Sequence, residues 1–451
     1  MDTADHSQEL RIALYSHDSL GLGHTRRNLA IAQALSDALP ELTGRKLSGL
    51  LITGERTATS YRCPKGFDWL VVPGIRKKSG RYEARHLGVK SERLFDIRSS
   101  VIGGALDAFR PHIVIVDRHP FGIDGELIKP LRELKAVKPE TTFVLGLREV
   151  LDAPEVAAEE WKRVGVESVT DLFDRVWVYG DRDIHDPLAT GELPAEFAPM
   201  VDYTGLLSSG RKFSGRHNAT IKPFVLTMLG GGSDGVNVAK AAAAAPVPAG
   251  VQHLVVTGPQ MPSAERHEVE AVAGPSTKVT NKVSDGMSYV ASADAVVSMA
   301  GYNTVAETLS TDTPALLVPR TTPRTEQIIR ARGLGETGAI DWVDPSEATS
   351  ETIGQWLAEA VANPAIREKQ RAAREELGLN GLDRVVDLAA DLAWLTDKSV
   401  APLPVPDANI VAGYSSNAGI AADADPAGVT RNAVTVPAHS FEAAGVNHAA
   451  V

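Results

Sequence analysis

Cysteine is nearly absent: among 451 residues only Cys63 carries a thiol. One thiol builds neither an internal disulfide nor a zinc site, which draws on about four Cys or His ligands, so a lone catalytic thiol is the only cysteine chemistry left open. Long apolar runs are missing as well. Nothing approaches the roughly 20 residues that a membrane-spanning helix requires. The opening "MDTADHSQEL" has neither the basic start nor the apolar middle of a secretory leader, and the expected location is the cytoplasm. Positive charge is in deficit, with 46 Lys and Arg against 57 Asp and Glu for a net charge of -11. That balance argues against bulk binding to nucleic acid, which needs a basic face.

One segment departs from this acidity. "RKKSGRYEARHLGVKSERLFDIR", residues 76–98, predicts a mobile basic loop running into a helix. It is either a solvated loop or a docking surface for an anionic acceptor or for membrane headgroups at the inner face of the membrane.

What the chain does have is alternation. Short β-branched runs ("RIALYS", "LSGLLIT", "DWLVVP", "HIVIVD", "TFVLGL", "RVWVYG") are interleaved with helical patterns, which implies a parallel sheet covered on both faces. A polar, glycine-bearing stretch, "LLSSGRKFSGRHNATIK", interrupts the pattern at 206–222, and it restarts with "PFVLTML", "HLVVTG", "DAVVSM" and "PALLVP". The expected organisation is an α/β domain over 1–210, a linker over 211–222, a second doubly wound α/β domain with terminal helices over 223–397, and a tail over 398–451. The small, polar, proline-bearing composition of that tail cannot support a core.

In open α/β sheets, ligands sit beyond the carboxyl ends of strands, at helix N-termini whose free N–H groups favour anions. Three glycine-bearing turns qualify. "LGLGHTRRN" after the first strand lacks the third glycine of a dinucleotide fingerprint and the Gly-Lys-Ser/Thr ending of a Walker loop. It offers close backbone approach at Gly21 and Gly23. His24 sits at the helix start, where the positive dipole end would hold it neutral and able to accept a proton; a packing or capping histidine is the alternative. The second turn, "GGGSDG" at 230–235, matches G-x-G-x-x-G literally. However, the following strand ends in Thr257 and Gly258 rather than in the acidic residue that would hold a dinucleotide ribose. A phosphate cradle at Gly231, Gly232 and Ser233 remains, with a structural glycine turn as its alternative. In the third, "SMAGYNTVAETL", Gly301 gives clearance, Asn303 and Thr304 suit an N-cap or a phosphate contact, and Glu307 lies one turn into the helix. There it could accept both hydroxyls of a ribose, or simply favour the helix dipole.

Together, "LGGGSDG", "VSDGMSYVASADAVVSMAGYNTVAETL", "PALLVPR" and "RTEQIIRARG" follow the order and spacing of the donor half of MurG-like GT-B glycosyltransferases, over roughly residues 222–345. "GLGHTRRNLAIAQAL" is similar to the glycine loop of the same family's first domain. The resemblance implies two Rossmann-like domains facing a cleft. It further implies that the backbone of Val283 reads uracil, that Ser233, Gly301, Tyr302 and Asn303 lie by the diphosphate, that Glu307 holds the ribose, and that Glu326 and Gln327 touch the donor sugar. His24 takes the role of base, with Asp117 or His119 in its place if it does not.

The expected activity is metal-independent, inverting transfer of a hexose, for instance N-acetylglucosamine, from a UDP-sugar to an acceptor hydroxyl, with no cofactor beyond the donor. Two other readings stay open. Arg27 completes the G-x-G-H-x-x-R spacing of PseG-like UDP-sugar hydrolases, and a non-catalytic UDP-sugar sensor would bind without turnover. In the first domain "VDRHPFGIDGEL" and "LGLREVLD" replace the family's acceptor-binding turns, which leaves the acceptor unspecified.

Overall fold

The computed structural model describes residues 9–17, 22–78, 81–211 and 223–395. The expected linker, from residue 212 on, and the expected tail lie outside them, as does Gly21.

The first domain is built on seven parallel strands: β1 (Glu9–Tyr15), β2 (Lys46–Thr53), β3 (Phe67–Val71), and then, after a separate hairpin of β4 (Ile75–Lys78) and β5 (Arg81–Ala84), β6 (Ile113–Asp117), β7 (Thr142–Arg148), β8 (Arg175–Tyr179) and β9 (Val201–Tyr203). Their order across the sheet is β3-β2-β1-β6-β7-β8-β9. Helices α1 (Gly23–Thr43), α2 (Ser91–Phe109), α3 (Ile128–Val137), α4 (Pro154–Val164) and α5 (Val166–Thr170) make the crossovers. All five residues of β6 are buried, the signature of a strand covered on both faces.

The second domain carries β10 (Phe224–Met228), α6 (Val236–Ala244), β11 (Gln252–Val256), α7 (Ser263–Ala271), β12 (Thr277–Thr280), α8 (Gly286–Ser292), β13 (Ala295–Ser298), α9 (Tyr302–Leu309), β14 (Ala315–Leu317), α10 (Glu326–Thr337) and β15 (Asp341–Trp342). Its sheet runs β12-β11-β10-β13-β14-β15, again with parallel pairs. Strand order therefore reverses beside β1 in one sheet and beside β10 in the other. Crevices at such reversals are where open α/β sheets take ligands.

Three helices close the chain: α11 (Ser350–Ala362), α12 (Pro364–Glu375) and α13 (Gly381–Leu395). The last does not stay with the second domain as the expected boundary at 397 has it. It packs on α1 and β6, with the Ala393 carbonyl accepting from Arg45. The buried stripe of Leu382, Val385, Val386, Ala389 and Ala393 explains the return, because an apolar face of that width needs a partner. The same packing accounts for the start of the polar stretch at 206–222: Leu206 and Leu207 are core residues, and Leu207 bridges to Asn380.

The basic segment is likewise not a mobile loop. Residues 75–78 and 81–84 pair as antiparallel strands in which Arg76 lies opposite Glu83, while Ile75 and Ala84 pack against Leu94, Phe95 and Ile123. Ile75 and Ala84, the one buried residue of each strand, anchor the pair, and Arg76, Lys77, Lys78 and Arg81 are exposed. Among the described residues no helix is long and apolar enough to cross a membrane.

Candidate active site

The two strand-order reversals open onto one interdomain cleft of about 820 Å³. Into it converge Gly23, His24 and Arg27 from the start of α1, the turn at 230–234, Val283 after β12, Gly301 through Thr304 with Glu307 at the start of α9, and Glu326 with Gln327 at the start of α10. Sequence positions more than 300 apart thus line one cleft.

Backbone geometry builds the turn at 230–234. Gly230 and Gly232 have φ of 64° and 85°, in the left-handed region that glycine adopts without strain. A Cβ on Gly232 would stand 2.0 Å from the Thr257 carbonyl oxygen. The loop therefore lies flat on Thr257 and Gly258, which explains why β11 is followed there by a glycine and not by a ribose-binding acid. At Gly301 and Gly23, by contrast, a Cβ would meet nothing nearer than 4.0 and 3.8 Å. Neither position needs glycine for space in this state of the cleft.

Two carboxylates stand in the donor-side wall, each half satisfied. Glu307 is 3% exposed; its Oε1 pairs with Arg26 and, at 3.4 Å, with Arg211, while its Oε2 is buried with no partner. Glu326 accepts from Arg320 at 2.7 Å through Oε1, and its Oε2 is also buried and unpaired. A buried acceptor without a donor is costly, and a hydroxyl-bearing ligand is the chemistry that would satisfy both. Arg26 and Arg211 went unnoticed in the sequence. Arg26 sits beside the more conspicuous Arg27, and Arg211 sits where the composition reads as linker.

Across the cleft, His24 Nδ1 lies 2.7 Å from Asp117 Oδ2. Asp117 is fully buried and also receives Arg27 through Nε at 3.1 Å and Nη2 at 2.7 Å. Burial alone would raise its pKa, but Arg27 and His24 overcome that and hold it at about 2. Asp117 is thus a permanent acceptor, which fixes the His24 proton on Nδ1 and leaves Nε2 as the basic nitrogen. The His24 pKa is lowered, first by burial and against the pull of Asp117, with Arg27 and Arg148 adding to the depression. The helix dipole invoked from the sequence is therefore not needed to keep it neutral.

Several expected contacts turn out to be engaged in other ways. Arg27 is spent on Asp117. Tyr302 is buried, its hydroxyl accepting from the Leu207 backbone N–H at 3.1 Å and its ring lying beneath Arg27 and Arg330. Asn303 is not an N-cap, a position Gly301 holds; its Nδ2 donates across the domain boundary to the Gly23 carbonyl at 2.8 Å. His119 lies off the cleft lining, its ring tilted against that of His17 with centroids 3.9 Å apart, and the His17 ring meets His24 edge-on. That places it behind His24 rather than in its stead. Among the described residues no group of three or more His, Cys, Asp or Glu is placed to hold a metal ion.

Comparison with known proteins agrees with this architecture. Residues 226–385 match the glycosyltransferase family 28 C-terminal domain. A Methanosarcina acetivorans protein described as an uncharacterized glycosyltransferase is 22% identical over 370 residues, 79% of this chain and 92% of its own length. A second, from Methanosarcina mazei, is 26% identical over 158 residues, 34% of this chain and only 40% of its own length. Among solved structures, Acinetobacter baumannii MurG superposes with a TM-score of 0.52 at 16% identity, covering 84% of this chain and 98% of its own. Phytolacca americana UGT2, in complex with UDP-2-fluoro-glucose and pterostilbene, gives 0.56 at 13%, covering 85% and 98%. Residues 226–385 are thus similar to the glycosyltransferase family 28 C-terminal domain, and the chain as a whole has the two-domain fold of the GT-B structures it superposes on, MurG among them.

Proposed function

We propose that the protein is an inverting glycosyltransferase that moves a hexose from a UDP-sugar to an acceptor hydroxyl, with His24 as general base. The observation that carries this reading is the His24–Asp117 pair facing two half-satisfied carboxylates, Glu307 and Glu326, across one cleft.

In this reading the donor lies along the second domain. Val283 meets uracil through its backbone, Glu307 Oε2 takes a ribose hydroxyl, and the N–H groups at 231–233 and at the start of α9 meet the diphosphate. Glu326 and Gln327 then meet the sugar. The UDP-2-fluoro-glucose complex of the Phytolacca neighbour favours a uridine donor over other nucleotides. His24 Nε2 removes the acceptor hydroxyl proton as that oxygen bonds to the anomeric carbon. The bond from that carbon to the diphosphate oxygen breaks on the opposite face, so the configuration inverts and UDP departs with the bonding pair. Asp117 stabilises the imidazolium that results. Preorganised N–H donors and guanidinium groups carry the charge that develops on the diphosphate. Activity is therefore expected to persist in EDTA.

The donor half is tested by thermal melting with UDP, UDP-N-acetylglucosamine, dTDP, GDP and NAD. A ligand at 100 times its Kd stabilises by about 2.7 kcal/mol. A shift with uridine ligands alone, lost in Glu307→Ala, supports the reading; a shift with NAD or with none overturns it. UDP release is then followed with and without acceptor sugars. Release that depends on acceptor supports transfer, release of free sugar without acceptor means hydrolysis, and tight binding with neither means a sensor.

A further inference from the structure

Four arginines, Arg27, Arg118, Arg148 and Arg330, lie near enough to one another to interact, and three of them have a carboxylate of their own. Arg27 pairs with Asp117, Arg118 with Glu160 at 2.5 Å, and Arg330 with Glu149. The fourth is Arg148, the last residue of β7, one strand over from Asp117. It lines the cleft. Among the described residues its guanidinium makes no hydrogen bond and no ion pair, and its Nε is buried without an acceptor.

An arginine in such a place is expensive. Burial lowers its pKa to about 10, and Arg330, Arg27 and Arg118 push it the same way. Only Glu326 opposes them, and that carboxylate is already bonded to Arg320. A guanidinium held among like charges without a counter-ion is unstable until an anion joins it. The site has the character of one that receives its anion from a ligand. Its position says which part of the ligand: Arg148 is near enough to His24 to depress its pKa, and its one electrostatic counterweight is Glu326, at the start of α10. It is contributed by the first domain, not by the glycine turns at 230–234 and 301 that offer N–H groups to a diphosphate.

We propose that Arg148 binds an anionic group, a carboxylate or a phosphate monoester, on the sugar side of the reaction, so that the enzyme acts on a charged sugar. This rests on the donor reading above. The charge belongs either to the transferred sugar, as in a uronic acid, or to an acceptor whose nucleophilic hydroxyl lies near it. Planar, forked N–H groups suit both oxygen groups.

The test is calorimetric titration of the wild type, Arg148→Gln and Arg148→Lys. The donor arm compares UDP, UDP-glucose and UDP-glucuronate. The acceptor arm compares glucose, glucuronate and glucose 6-phosphate, each with and without UDP present. If the sugar is the source, UDP-glucuronate binds the wild type at least tenfold tighter than UDP-glucose. If the acceptor is the source, glucuronate or glucose 6-phosphate binds at least tenfold tighter than glucose. In either case the preference falls to within twofold in Arg148→Gln and is partly kept in Arg148→Lys, while affinity for UDP itself stays within twofold.

No preference in either arm overturns the proposal. So does an equal loss of UDP affinity in Arg148→Gln, which makes Arg148 a diphosphate ligand. Failure of the donor reading looks different: the wild type then ignores every uridine ligand. An Arg148-dependent preference for glucose 6-phosphate over glucose in the absence of UDP would still support the anion site.

Discussion

The donor-side and acceptor-side walls of the cleft are made of different material. On the donor side glycine turns bring main chain into the lining, with a loop laid so closely on β11 that Gly232 has no room for a Cβ, beside the carboxylates Glu307 and Glu326. On the acceptor side the lining is made of the side chains of His24, Arg27 and Arg148, from the start of α1 and the end of β7, with Asp117 buried behind them at the end of β6. Main chain can be aimed only by local backbone conformation, so the donor wall needs glycines at fixed local spacing. Side-chain constellations need only that the fold bring distant positions together.

The sharpest way to break this comparison is kinetic. His24→Ala is expected to lower kcat by about 10²- to 10⁴-fold, the usual contribution of a general base, with donor affinity nearly unchanged. Glu307→Ala is expected to weaken donor binding first. If both variants lose only donor affinity, His24 is a binding residue and the two walls do not divide the labour. Steady-state kinetics beside calorimetry with UDP separates the cases.

That difference in material also decides what could be read beforehand. Alternating β-branched runs and amphipathic stretches disclosed two parallel sheets, because a strand buried on both faces, such as "HIVIVD", has few other uses. The donor wall was legible for the reason just given: its parts lie together in sequence as "GGGSDG" and "AGYNTVAE". The acceptor wall was only half legible. His24 stood out beside its glycines, but nothing in the sequence pairs it with Asp117, 93 positions away. Asp117 therefore looked like a rival base, whereas it is buried and paired with both Arg27 and His24. Leu206 and Leu207 open a stretch that reads as an interruption because the segment that packs on them, from Asn380 into α13, lies more than 170 residues on.

Glycine substitution sharpens the comparison at the level of stability. Gly232→Ala forces a non-glycine residue to φ near 85° and drives its Cβ into the Thr257 carbonyl, so a loss of about 1–3 kcal/mol is expected. Gly23→Ala meets nothing closer than 3.8 Å and should leave the melting temperature within a degree or two. Equal losses at the two sites would mean that the first glycine turn is as tightly built as the second. Urea unfolding at neutral pH checks both.

The smallest effect concerns protons. His17, His24 and His119, in ring contact with one another in the first domain, all have lowered pKa values, chiefly through burial; His253 in the second domain is lowered to about 4 for the same reason. An unfolded chain binds protons on these rings below about 6.5, whereas the folded one resists until lower pH. In that window the unfolded state binds more protons, so stability is complete above pH 6.5 and declines as pH falls through the folded values. Three of these four rings lie on the acceptor side, so the decline should come mainly from that half. Replacing His17 and His119 by Gln should flatten the pH dependence of urea midpoints between 6.5 and 4.5, while His253→Gln should change it less. If His253→Gln flattens it more, the acid sensitivity belongs to the second domain, and the contacting histidines contribute packing without proton linkage.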